Sequence, residues 1–279
     1  MFWRLLSAAA LALAGCTQGE QAPAARAVYW IGAPYRQGLD WVYPQERFSG
    51  EETGLAVQLP GRHTAVDGEL WDDALPLAAH ATLQLPCVVR VTRLDTGTSI
   101  TVRVIDRGPP QAGRLLGLSS RAAAMLDMAG RPVPVRVVVD SQRSQAVRDV
   151  LAGPVHGGMS AAPRTAVLRE LLSGGPALRP EPAAVPDEVT APPIPSATEA
   201  GLPALGQLYV RASTFSQRGP AQVQSARVAA LAPHIERQGT GRAETFTVRA
   251  GPYPDVASAD AALDLARQAG VTDARIVVE

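Results

Sequence analysis

Apolar and polar positions alternate with a period of two in one stretch of the chain. Val89 and Val91 oppose Arg90 and Thr92; beyond Asp95-Thr96-Gly97, Ile100, Val102 and Val104 oppose Thr101 and Arg103. That period sends successive side chains to opposite faces of a strand, and Asp-Thr-Gly has the turn chemistry to reverse it, so residues 88–106 predict a β-hairpin. Asp106 ends the second strand, because Arg107-Gly-Pro-Pro110 removes ladder donors and relaxes the backbone. A carboxylate at a strand exit is placed to face a cleft. Valines at 133, 135, 137 and 139 repeat the alternation, while Ala122, Met125 and Leu126 have helical spacing behind a Ser119 cap. Short strands around one helix over 52–140 predict a small β-barrel.

Further along, the pattern reads strand, helix, strand, strand, helix, strand over 208–215, 220–232, 234–238, 245–250, 257–269 and 274–278. That order is an α+β sandwich with both helices on one sheet face and the other face free to bind. The fold class expected is therefore mainly β plus α+β. Between the two units, residues 141–204 are dominated by Pro, Ala, Gly and Ser and read as a semi-extended linker, with a brief helix at 165–172. Tyr29, Trp30, Tyr35, Trp41 and Tyr43 lie ahead of the barrel, and residues 17–51 read as a tether and an aromatic arm. An arm packed over apolar surface is preferred to a sugar platform.

The chain has 279 residues, zero formal net charge and 24 prolines, which suits two modest domains joined by a linker. All its basic side chains are arginine, which excludes a Schiff-base lysine or a phosphate-loop lysine, and nothing argues for nucleic acid. Four scattered histidines and two cysteines form no HExxH, CxxC or zinc-ribbon spacing, so neither a metal nor a cofactor is expected. Cys87 lies in an apolar strand and is assigned to the core. At the N-terminus, Met1-Phe-Trp-Arg4 precedes an apolar run from Leu5 to Leu13 and then Ala14-Gly15-Cys16. This resembles a bacterial lipoprotein signal over residues 1–16. The resemblance implies lipid on Cys16 and membrane anchoring, and Thr17 after it favours the outer membrane, facing the periplasm.

Residues 27–140 resemble the rare lipoprotein A family of septal lytic transglycosylases. The resemblance rests on an ordered series: Gly32-Ala-Pro-Tyr35, Tyr43-Pro44, Thr64-Ala65, Gly68-Glu69, Ala78-Ala-His80, Leu85-Pro86, Val89-Arg-Val-Thr92 and Asp106-Arg-Gly-Pro109. It implies a six-stranded double-psi β-barrel. Residues 205–279 resemble a SPOR domain through Tyr209-Val210, Phe215, Val248-Arg249 and Gly251-Pro-Tyr253. That implies binding to glycan strands stripped of stem peptides, with Arg211, Ser213, Phe215, Arg249 and Tyr253 as the glycan-binding residues. Divisome proteins are candidate partners.

By motif position, the resemblance places the family's functional glutamate, histidine and aspartate on Glu69, His80 and Asp106. Cleaving a glycosidic bond needs an acid for the leaving oxygen, and where the sugar's own C6 hydroxyl attacks, no water-activating partner is required. Asp106 is the expected general acid and base, Glu69 its like-charge or electrostatic partner, and His80 a sugar-orienting group. The structural alternative for each is an Asp106 bonded to backbone amides, a solvated Glu69 and a satisfied core His80.

Four departures bear on the activity. Ala56-Val-Gln-Leu-Pro60 replaces the family's Ser-Trp-Tyr-Gly, and Thr64-Ala-Val-Asp-Gly-Glu69 is one residue longer than usual. Ile105 replaces an asparagine, and Gly117 stands where members carry a second aspartate. They support a second reading, a catalytically degenerate, non-enzymatic envelope lipoprotein that binds peptidoglycan, and a third, expansin-like loosening of glycan packing.

Overall fold

The computed structural model describes residues 27–38, 40–151, 197–203 and 206–279. Cys16 and the helix expected at 165–172 lie outside them. The N-terminal arm carries a small hairpin, β1 (Tyr35–Gln37) with β2 (Asp40–Val42). Trp30 bridges to Leu85 and packs on the barrel core, and Tyr35 Oη donates to the Ala81 carbonyl at 3.0 Å. The arm thus covers apolar surface, as its aromatic content predicted.

The barrel strands are β3 (Glu51–Gln58), β6 (Leu77–His80), β7 (Cys87–Arg93), β8 (Ser99–Asp106), β9 (Arg114–Leu118) and β10 (Val133–Val139). They run in the order β8-β6-β9-β3-β10-β7, and the β7–β8 pair closes the ring into six strands. β3 with β9 and β6 with β8 are parallel; the other four pairs are antiparallel. Closure leaves no sheet edge and fixes alternate residues inward. Val89, Val91, Ile100, Val102, Val104 and Val135 accordingly form one buried core with Leu116 and Leu118. A second hairpin, β4 (Arg62–Thr64) with β5 (Leu70–Asp72), folds over the barrel between β3 and β6. α1 (Ser120–Met125) starts at Ser119, whose hydroxyl accepts from Ala122 N–H.

Two findings shorten the expected linker. Residues 141–151 are not linker but α2 (Ser141–Leu151), docked by Ser144, whose hydroxyl donates to the Val88 carbonyl and accepts from its N–H, both at 3.0 Å. At the other end, β11 (Thr198–Glu199) pairs antiparallel with Ser99 and Ile100 at the start of β8, and Glu199 pairs with Arg90 at 2.6 Å. Each end carries polar groups that bond barrel backbone or side chains, a tertiary effect invisible in composition.

The C-terminal unit comprises β12 (Leu208–Phe215), α3 (Arg218–Arg227), β13 (His234–Gln238), β14 (Thr245–Tyr253), α4 (Val256–Gln268) and β15 (Arg275–Val278). Its antiparallel sheet has the order β13-β14-β12-β15. An Asp255–Ser258 capping box starts α4. This unit is seated on the barrel. Leu55, fully buried, points out of β3 into the C-terminal core beside Leu263 and Ile276. Arg114 grips Asp260 with two bonds of 2.6 and 2.7 Å, and Arg267 reaches Asp40 at 2.7 Å. Gly113 is required at this contact: its φ of +72° is left-handed, and a Cβ there would overlap Leu263.

Candidate active site

The hairpin β4–β5 and the end of β8 bring the acidic residues together. Between the two short strands, the turn Ala65–Glu69 is closed by Ala65 N–H to Glu69 O and held to the barrel by Asp67 N–H to Ile105 O. Beneath it, Ala65, Trp71, Leu77, Ala79 and Ile105 form a separate buried apolar cluster. Ile105 is therefore an anchor under the turn. Asp106 follows it at the rim, its side chain only 15% exposed.

The Asp106 carboxylate accepts three hydrogen bonds. Oδ1 takes the Val66 N–H at 3.1 Å and the Arg107 N–H at 2.8 Å, and Oδ2 lies 2.7 Å from His63 Nε2. His63 stands opposite Trp71 in the β4–β5 register and stacks on its indole, with centroids 5.6 Å apart and planes 16° apart. Sequence reasoning missed His63. It lies 43 positions from its partner, and its signal is weak: a histidine directly ahead of the Thr64-Ala65 motif.

Glu69 has partners of its own. Its carboxylate forms an ion pair with Arg103 of β8, and its like-charge partner is Asp67, which is 1% exposed and accepts the Glu69 N–H at 2.9 Å. Burial and then the Glu69 charge push Asp67 up to about 9, and burial also raises Glu69. Asp67 Oδ2 and Glu69 Oε1 are buried without a hydrogen-bond partner. A proton kept on Asp67 removes the like charge beside Glu69, whose carboxylate is paired with Arg103. Asp67 was also missed; the extra residue in Thr64–Glu69 was its signal.

His80 occupies the position of a core histidine, away from the exposed rim. It is 3% exposed, its Nδ1 accepts from Thr82 and Leu83 N–H at 3.2 Å each, and burial lowers it to about 4, so the ring is neutral and occupied. Arg107 closes the floor by donating to the carbonyls of Ile31, His80 and Leu83 while lying over Trp30. At Gly117, a Cβ would overlap the Leu59 side chain, so the space of the family's second aspartate is filled.

The expected glycan-binding residues are not gathered on one open face. β12 slips register between Arg211 and Ser213, and a one-residue slip sends every later side chain to the other face. Ser213 consequently bonds Asp273 at 3.0 Å and Gln224 of α3, and Phe215 packs against the helix-side core, as does Tyr253. Arg211 remains on the far face, lowered to about 10 by burial and by Arg275, near Glu52 of the barrel. Arg249 lies 4.7 Å over Tyr209 and is engaged by His234, Glu236 and Glu279. Among the described residues, no three His, Cys, Asp or Glu side chains are grouped to hold a metal.

Residues 62–138 match a family described as "Lytic transglycolase". The chain is 34% identical over 195 residues to the endolytic peptidoglycan transglycosylase RlpA of Pseudomonas aeruginosa, covering 66% of this chain and 56% of that protein. It is 34% identical over 112 residues to the same-named protein of Helicobacter pylori strain J99, covering 38% of this chain and 35% of that one. The chain thus spans about half the length, or less, of these relatives. The solved RlpA SPOR domain of Pseudomonas aeruginosa is similar at 19% identity and a TM-score of 0.24, over 25% of this chain and 96% of that structure. A closed six-stranded barrel with an acidic rim, followed by a βαββαβ unit, defines a double-psi barrel protein with a C-terminal SPOR domain. Over the matched residues the chain is similar to the rare lipoprotein A family, RlpA.

Proposed function

We propose that this protein is a peptidoglycan lytic transglycosylase that cuts peptide-poor glycan strands to 1,6-anhydro ends at the division septum. A lipid on Cys16 holds it to the outer membrane, facing the periplasm, and the SPOR domain recruits it to denuded glycan, with divisome proteins as partners. The observation that carries the reading is the Asp106–His63 pair at the barrel rim, 2.7 Å apart and supported by two backbone amides. The names of the relatives support it.

The chemistry needs little from the protein. A proton goes to the glycosidic oxygen as the C1–O bond breaks; the C6 hydroxyl of the same sugar then bonds C1, and its proton returns to the protein. No water enters. The Asp106–His63 pair handles that proton. The Glu69–Arg103 pair lies below it and holds the turn that presents Val66 N–H to Asp106. The second reading, glycan binding without cleavage, is favoured by Leu59 in the space next to Gly117.

The test is incubation with peptide-free glycan strands, with product ends identified by mass spectrometry. Anhydro ends from the wild type, falling by about 10²- to 10⁴-fold in Asp106→Asn, establish the reaction. Retained strand binding with no new ends makes the protein an envelope-to-wall tether.

A further inference from the structure

We propose that His63 is the catalytic acid–base of the barrel and that Asp106 is the carboxylate that holds and orients it. The assignment deepens the transglycosylase reading and rests on it. Four ionisable groups surround the rim, and they differ in what they offer to a substrate. Asp67 is 1% exposed, and the Glu69 and Asp106 side chains are 13% and 15% exposed, whereas the His63 side chain is 51% exposed. Glu69 is tied to Arg103 and Asp67; Asp106 accepts from Val66, Arg107 and His63. Only His63 presents an uncommitted atom, because no described residue bonds Nδ1.

The ring is also fixed. One face lies on Trp71, itself 1% exposed, and one edge is held by the Asp106 carboxylate. A carboxylate on one imidazole nitrogen sets the tautomer and stabilises the imidazolium, leaving the other nitrogen to move protons. Imidazole changes charge close to neutral pH, where a single group can serve first as acid and then as base. The Nδ1 proton passes to the glycosidic oxygen as that oxygen takes the C1–O electron pair. The C6 oxygen then bonds C1 and releases its proton to Nδ1, which restores the imidazolium. The charged and titratable groups around the ring are Asp106 and Arg107 at the end of β8, Arg62 on the same strand as His63, Asp72 opposite Arg62, and Tyr35 in the arm, which lies near Asp106 and Arg107. His80, in contrast, has its Nδ1 filled by backbone and cannot take this part.

The experiment uses the full chain in detergent, peptide-free glycan strands, and His63→Gln and His63→Ala beside the wild type. The expected result is a loss of about 100-fold or more in both variants, with urea midpoints unchanged. Millimolar imidazole restores activity to His63→Ala, and the near-neutral limb of the wild-type pH profile is absent from His63→Gln. Wild-type rates in His63→Gln with an unaltered pH profile overturn the assignment and leave the transglycosylase reading standing. A loss with no imidazole rescue and no change of profile also overturns it, since that marks a structural role. A wild type that forms no anhydro ends at any pH removes the reaction and this role together.

Discussion

Asp67→Asn tests whether the buried acid pair holds a proton in the folded protein. Asp67 is 1% exposed, its Oδ1 accepts the Glu69 N–H at 2.9 Å, and Oδ2 is buried without a hydrogen-bond partner. Burial and Glu69 raise it to about 9. An unfolded aspartate titrates near 4, so between about pH 4 and 9 the folded chain keeps a proton that the unfolded chain has released. Stability tied to that proton is complete below about pH 4 and is lost as pH rises towards 9. One proton is worth about 1.4 kcal/mol per pH unit, so the wild type loses on the order of 4 kcal/mol between about pH 5 and 8 from this site. Asparagine keeps the Oδ1 acceptor and cannot ionise. Urea unfolding of both proteins at the two pH values, followed by tryptophan fluorescence, measures the difference. The variant gains on the wild type by several kcal/mol as pH rises. Parallel pH dependences, within about 1 kcal/mol of each other, refute a proton retained on Asp67.

Leu55→Ala removes the side chain that joins the barrel to the SPOR core. With Leu55 fully buried, the expected loss is about 3 kcal/mol, read as a lowered urea midpoint. Burial pushes the Cys87 thiol up to about 11, so iodoacetamide labels it at neutral pH only after unfolding; rapid labelling of the folded protein contradicts the packing described. Ser144→Ala strips both bonds to Val88 and is expected to cost about 1–3 kcal/mol and to release α2, which limited proteolysis after Asp140 detects.

The barrel was legible in the sequence because closed sheets impose a strict period of two. The valines at 89, 91, 102, 104, 133, 135 and 137 alternate without a break and all reach the core. The C-terminal element order was legible for a similar reason, but the facing of its side chains was not: the bulge after Arg211 is set by pairing with β14, and it moves Ser213 and Phe215 away from the face that simple alternation gives. α2 was hidden by its polarity. Only Ser144 and Val147 are buried, one turn apart, which is a narrow stripe for periodicity to reveal. At the site, Asp106 stood out as the residue that ends a strand at Gly-Pro-Pro. Its partner His63 sits in a three-residue strand with no alternation of its own, positioned by a hairpin that pairs it with Trp71. His80 matched a motif, yet the backbone N–H donors to its Nδ1 come from the turn that follows, a local geometry that residue type alone does not show.

Isotope labelling of the products tests intramolecular transfer at the Asp106–His63 rim. Peptide-free glycan is cut in ¹⁸O-enriched water and the new ends are weighed. Intramolecular transfer gives ends lacking the elements of water and carrying no ¹⁸O. Ends that carry ¹⁸O show a hydrolase and contradict it.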